Sequence, residues 1–437
     1  MSEMKQPTSS TVAVRMTGKP PRLLIPRLAM LMLLEFLVYG SWNATVGLVL
    51  VDNGLGAIVG TLFGLAALAA ILSPMLIGSL ADRFMPSQWV LAGISFVGGG
   101  IMLMVPQTIL AGSAALVLTA VFVYMLLFQP TIALVNSVSF RHLGHRPNIF
   151  PYIRVFGTFG WIIAGLLVGQ LGLSASTDLF YVTAIASFAM GLYCLTLPHT
   201  PPTQRGARFR LGDIIGAQAL KLFRQRNFVV FAVCAVLTFI PIAMYNSFAS
   251  TLLSSLGFEN VASVLVIGQI SEVAFIPVIP WVLKRFGMKY VLLTGMVSWG
   301  VRFALFFIAT GGEAWWAILA VAIHGICNDF FLTISFMYAE RVAPESIRAQ
   351  AQSLVLLLTQ GIGVMIGSFV AGAIYNSTVG AAGTDAPLSA WTPFLVVPIL
   401  VSVIVAILFA VLFRRREENG DPDAVDVPRA AATAADK

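Results

Sequence analysis

The stretch PHTPPTQRGARFRLGDIIGAQALKLFRQRN, residues 198–227, is the longest polar interruption in a chain that is otherwise a succession of apolar blocks. It falls near the middle of 437 residues. Six apolar blocks precede it, at 25–50, 57–79, 88–106, 110–136, 152–172 and 178–197. Six follow, at 228–252, 261–283, 290–310, 314–336, 348–375 and 391–413. Many reach the roughly 20 residues with which a helix crosses about 30 Å of hydrocarbon.

Composition points the same way. The chain is 58% hydrophobic and 10% charged, where a soluble domain carries about a quarter charged residues. A membrane β-barrel would alternate over segments of about 10 residues, and these blocks are continuous. The expected fold is an all-α membrane protein with twelve transmembrane helices in two pseudo-symmetric six-helix halves, both termini cytoplasmic. Its expected divisions are a cytoplasmic tail 1–22, a first bundle 23–197, the central loop 198–227, a second bundle 228–413 and a disordered, alanine-rich cytoplasmic tail 414–437.

The cations test this map. Arg83, Arg141, Arg146, Arg205, Arg208, Arg210, Lys284, Arg285, Lys289, Arg341 and Arg348 all fall in even-numbered connections. The odd-numbered ones carry Asp52, Asp178, Glu259, Glu313 and Asp385 and no lysine or arginine. Lysine and arginine mark cytoplasmic loops. The net charge of +7 is thus a topological signal, and no nucleic-acid partner is expected. Cys194, Cys234 and Cys327 stand isolated in apolar blocks, so neither a disulfide framework nor a zinc site is expected.

A repeat supports the two halves: LADRFMPSQWVLAG at 80–93 follows the second block, and VLKRFGMKYVLLTG at 282–295 follows the eighth. Related halves joined by a basic loop imply a transporter that rocks about a midplane site. LADRF also resembles the loop signature of the major facilitator superfamily, although Met85 and Pro86 replace its closing glycine and basic residue. Asp82 and Arg83 would then latch the halves on the cytoplasmic side.

Five ionisable residues lie well inside blocks: Glu35, Arg154, Glu272, Arg302 and Asp329. Each costs about 2.5–3.5 kcal/mol at a helix centre, so each needs a partner or a water-filled cavity. Three carboxylates face two arginines, which leaves one carboxylate as a candidate proton carrier. Arg302, in the ninth block, is expected in a structural ion pair. Positions three and four apart share a helix face. Glu35, Tyr39 and Trp42 form one stripe, Arg154, Thr158 and Trp161 a second, Gln269 and Glu272 a third, and His324, Asn328 and Phe331 a fourth beside Asp329. Amides, charges and aromatic faces together suit a flat, polar heterocycle. No nucleophile with its base, and no metal cluster, is set out for an enzyme.

The segments YGSWNATVG, ADRF, IRVFGTFGW, TLPH, QISE, RFALF, DFF and IRAQAQ, in that order, resemble the nucleoside:proton symporter family of the major facilitator superfamily. The likeness runs over 27–414. It implies proton-driven nucleoside uptake by a multi-pass protein of the bacterial inner membrane, with the proton as coupling ion and no other cofactor. It also implies roles for Arg154, Thr158, Asn246, Gln269, Glu272 and Asp329 in the nucleoside site or its coupling, with Trp161 standing where a relative has phenylalanine.

Departures from the family pattern fall on the same region. Ala243 stands where a glutamine is usual, His324 for a tyrosine, Asn328 for a phenylalanine and Glu35 for a glutamine. The expected substrate-binding set is Arg154, Thr158, Trp161, Asn246, Gln269, Glu272, His324 and Asn328; Glu272, Asp329 and Glu35 are the expected proton-coupling groups. A monomer in membrane lipid is expected. The alternative is a facilitator for another small polar solute, such as a sugar or a purine derivative.

Overall fold

The computed structural model describes residues 23–73, 85–144, 146, 149–202, 217–383 and 386–414. The expected latch residues Asp82 and Arg83 lie outside the described residues, as do tail 1–22, most of tail 414–437 and 203–216 of the central loop. Every described element is helical. Ten helical stretches are long and apolar enough to cross a membrane, or eleven when Trp315–Ala322 and His324–Val342, bent by 41°, count as one.

The first half contains α1 (Leu24–Asn43), α2 (Val46–Asp52), α3 (Val59–Ser73), α4 (Ser87–Leu110), α5 (Ala114–Leu143), α6 (Phe150–Gln170) and α7 (Leu179–Thr196). The second contains α8 (Arg226–Ser255), α9 (Val261–Phe275), α10 (Ile279–Ala309), α11 (Trp315–Ala322), α12 (His324–Asn328), α13 (Ile334–Val342), α14 (Arg348–Leu356), α15 (Val364–Ser377), α16 (Val379–Ala382) and α17 (Thr392–Leu412).

Several breaks escaped the apolar pattern. The expected first span is two helices, because Thr45 leaves helical dihedrals at φ −125°, ψ 1°. The eighth and ninth expected spans run on through α10, where Gly287 turns the chain at φ 77°, ψ 164°. Only glycine takes that conformation without steric cost. α5 runs seven residues past its expected end at 136 and carries Arg141 and His142 in its last turn. Cations there complement the carbonyl end of the helix dipole. Asp329–Thr333 and Leu357–Gly363 are π-helical.

Within the first half α1 packs on α6 and α7, α4 on α5 and α7, and α3 on α5. The second half repeats the plan, with α8 against α15 and α17, α10 against α17, and α9 against α12. The halves meet where α3 packs on α15, α6 on α9 and α2 on α8.

At the end with the acidic connections, the halves touch closely. A Cβ on Gly60 would stand 2.5 Å from Gly372 Cα, and one on Gly169 would stand 2.7 Å from the Ser263 nitrogen. Two hydrogen bonds also cross here: Asn376 Nδ2 donates to the Ala57 carbonyl at 3.0 Å, and the Ala262 N–H donates to Ser174 Oγ at 3.2 Å. At the basic end several bonds among the described residues lie within one half. His142 pairs with Thr200 and Gln88 with His199, while Lys289 donates to the Ala410 and Phe413 carbonyls.

Candidate functional site

Arg154, Thr158 and Trp161 share one face of α6, and each is half-buried. The glycines of IRVFGTFGW press that helix onto α1. A Cβ on Gly157 would lie 2.8 Å from the Phe36 ring, and one on Gly160 would run into the Leu33 carbonyl. Small residues at this spacing let helix backbones meet. The Arg154 guanidinium therefore rests over Phe36, 4.2 Å from the ring centroid, in a cation–π contact. From that place its charge acts on both Glu272 and Glu35.

Trp161 is braced edge-on by Tyr39, with centroids 5.1 Å apart. Gly40 makes room for it, since a Cβ there would stand 3.1 Å from the indole. The remainder of the α1 stripe turns into the first half. Trp42 is fully buried against Tyr124, 5.7 Å between centroids. Glu35 is fully buried too, with Oε1 2.5 Å from Thr131 Oγ1.

Across the junction, α9 presents Gln269 and Glu272, both half-buried. Gly325 fits tightly against α9: a Cβ would lie 2.5 Å from the Ser271 carbonyl oxygen, and its N–H donates to Ser271 Oγ at 2.7 Å. That contact sets α12 so that Asn328 Nδ2 donates to Glu272 Oε1 at 3.2 Å. Asp329, 2% exposed, lies within electrostatic reach of Glu272. Asp329 opens the π turn. One extra residue in a turn rotates the rest of the helix to a new facing, and Phe331, expected on the Asn328 stripe, instead packs on Phe239 and under Gly295.

His324 lies one turn before Asn328, 5.7 Å from the Tyr245 ring and 6.3 Å from Trp299 by centroids. Behind it is Arg302, fully buried. The ion pair expected for Arg302 is replaced by aromatic faces, at 4.3 Å from Tyr245 and 4.6 Å from Trp299, and by the Ala320 carbonyl, which accepts from Nε at 3.0 Å. A guanidinium is weakly hydrated and flat, so rings serve where no carboxylate is supplied. Asn246 is exposed while Met244, Tyr245, Ser247 and Phe248 around it are buried. It is the one exposed position in the stretch 241–250 of α8.

The structure thus sets Glu272, Asn328 and Asp329 in one polar row, with Arg154 within electrostatic reach of Glu272 on one side and of Glu35 on the other. Thr158 and Trp161 share the Arg154 face of α6, Gln269 shares that of Glu272 on α9, and His324 lies one turn before Asn328; Asn246 is on α8, with no contact to the row shown. Phe36, Thr131 and Ser271 belong to the site and were not read from the sequence. Phe36 adjoins Glu35 and had a signal in an arginine that needs a partner; Thr131 had none, because no periodicity relates α5 to α1. Among the described residues no three His, Cys, Asp or Glu side chains converge as a metal-binding group. What the row offers is a shared cation, protonatable carboxylates, an amide and a braced indole.

A family model described as Nucleoside H+ symporter matches residues 24–418. The chain is 36% identical over 353 residues to the putative nucleoside transporter YegT of Escherichia coli (strain K12), covering 78% of this chain and 82% of that protein. It is 30% identical over 368 residues to the nucleoside permease NupG of Escherichia coli (strain K12), covering 80% and 87%. A crystal structure of the nucleoside transporter NupG matches the fold with a TM-score of 0.80 at 28% identity, covering 90% of this chain and all of that one.

Proposed function

The chain belongs to the nucleoside H+ symporter family, and on that footing we propose that it moves a nucleoside together with a proton across the bacterial cytoplasmic membrane by alternating access. One observation carries the reading. At the α6–α9 junction between the halves, a cation stacked on Phe36 faces a carboxylate already bonded to an amide, Asn328 to Glu272 at 3.2 Å. Such a set is built to take a ribose hydroxyl pair and a base edge while changing its own charge.

In this reading Gly287 divides α10 into two spans, which with the bent tenth span restores twelve helices in two bundles of six, the basic connections being cytoplasmic. Arg154, Thr158, Gln269 and Glu272 hold the polar parts of the solute. Trp161 offers a stacking surface, and Asn246, Asn328 and His324 border the pocket. Glu272, Asp329 and Glu35 are the protonatable groups. Contacts between the halves at the acidic end support a stage closed on that side.

The amide of Asn328 and the imidazole of His324 also favour a second reading, a facilitator of another polar solute such as a sugar or purine derivative. Uptake of radiolabelled uridine, adenosine and xanthosine into proteoliposomes, with and without an inward proton gradient, separates the two. Accumulation of none of the three would overturn the nucleoside reading.

A further inference from the structure

Inside the first half, away from the junction, lies a cavity of about 10 Å³, the room of one water molecule. Glu35, Ser95, Tyr124, Thr131 and Ser187 line it, and all five are buried. Two polar atoms at this cavity, Glu35 Oε2 and the Tyr124 hydroxyl, have no hydrogen-bond partner among the described residues. A polar, lined space beside unsatisfied groups is where a buried water settles.

The hydrogens around Thr131 can be counted. Thr131 Oγ1 lies 2.5 Å from the Phe128 carbonyl oxygen and 2.5 Å from Glu35 Oε1. A threonine hydroxyl has one hydrogen. Both oxygens accept from it, so that single hydrogen is divided between Glu35 Oε1 and the Phe128 carbonyl. The other carboxyl oxygen, Glu35 Oε2, is left at the cavity with no partner among the described residues, and a carboxyl so buried and so weakly bonded favours its protonated form.

The geometry points to Glu35 as the holder of an exchangeable coupling proton at a small cavity of the first half, apart from Glu272 and Asp329. This rests on the symport reading and deepens it. The charged and titratable groups facing Glu35 are Arg154 from α6, Tyr39 from α1, Tyr124 from α5 and Cys194 from α7. Arg154 is the only cation among these four, and Glu272 shares it from the other half. The charge of that one guanidinium bears on both carboxylates, with an ion pair to neither among the described residues. When Arg154 serves Glu272 and the solute, Glu35 keeps its proton; when Arg154 turns to Glu35, the O–H bond breaks and the proton passes to the cavity water and on to solvent, leaving the carboxylate. A charge at the junction is thereby tied to a proton held outside it.

The test counts protons with no nucleoside present. The purified full-length chain in lipid nanodiscs is titrated with a pH-indicator dye, as wild type and as Glu35→Gln. The expected result is one exchangeable proton fewer per chain in the variant; equal counts overturn the proposal. Thr131→Val, which removes the hydroxyl and keeps the shape, is expected to keep the count and displace the pH at which that proton leaves. An unmoved midpoint in Thr131→Val overturns the proposal as well.

In proteoliposomes, with one proton on Glu35 and another in the second half, wild-type accumulation is expected to grow about 100-fold per unit of pH gradient, and Glu35→Gln accumulation about 10-fold. Equal slopes overturn Glu35 as a coupling site. Uridine uptake indifferent to the gradient in both proteins would remove the symport reading, while the dye count would still decide whether Glu35 holds a proton.

Discussion

The Asn328 amide nitrogen lies 3.2 Å from Glu272 Oε1, across the contact that Gly325 makes with Ser271. One oxygen of Glu272 is thus committed to the second half, and the Arg154 charge approaches the same carboxylate from the first. Hydrogen bonds to charged groups contribute about 1.5–3 kcal/mol. Asn328→Ala is expected to raise the half-saturation concentration for nucleoside about tenfold or more and to leave the amount of folded protein in the membrane unchanged. Initial-rate uptake beside a blot of membrane fractions checks it; an unchanged half-saturation value rejects the role of the amide.

Glu272→Gln keeps the shape and the partner of Asn328 but removes the exchangeable proton. Concentrative uptake is expected to be lost while nucleoside exchange down its own gradient continues. Counterflow in preloaded vesicles separates the two, and retained accumulation against a gradient would show that Glu272 carries no coupling proton.

Arg154→Lys preserves the charge and loses the flat face that rests 4.2 Å over Phe36. Stacked arginines are not replaced conservatively by lysine, and cation–π contacts contribute about 0.5–2 kcal/mol. Transport is expected to fall about tenfold, with Phe36→Leu reproducing part of the loss. If Phe36→Leu transports as wild type does, the ring is not what positions the guanidinium.

Gly60→Val places a branched side chain where even a Cβ would lie 2.5 Å from Gly372 Cα and 2.6 Å from the Ser368 carbonyl oxygen. Overpacking costs about 1–3 kcal/mol, which shifts a two-state equilibrium about 5- to 150-fold. The acidic end is expected to open. Distances between spin labels at Asn53 and Ser377 should lengthen, and an unaltered distribution would show that this contact does not hold the closed end.

Much of the architecture was legible because a bilayer imposes a one-dimensional rule: apolar length marks a crossing and cationic loops mark a side. The α6 stripe of Arg154, Thr158 and Trp161 was legible for a similar reason, since a regular helix repeats every 3.6 residues. The same periodicity failed at the π turn after Asn328, where Phe331 left the expected face, and at Thr45 and Gly287, where the helix broke inside or between apolar blocks. Arg302 was read as half of an ion pair because the sequence displays charges and hides rings. Trp299, three residues before it on α10, was within reach of helical spacing, but Tyr245 reaches it only once α8 packs on α10.

By itself, then, the sequence determined that the chain is a helical membrane protein, where its charges lie along each helix, and which family its motifs resemble. Only the tertiary structure decided which charges meet. Helical spacing fixes the face a residue occupies but not the rotation or depth of the neighbouring helix, and those are set by close contacts such as Gly157 on Phe36 and Gly325 on Ser271. Through them the charge of Arg154 comes within reach of both Glu35 and Glu272, and Glu35 comes to face Thr131 at a cavity of the first half.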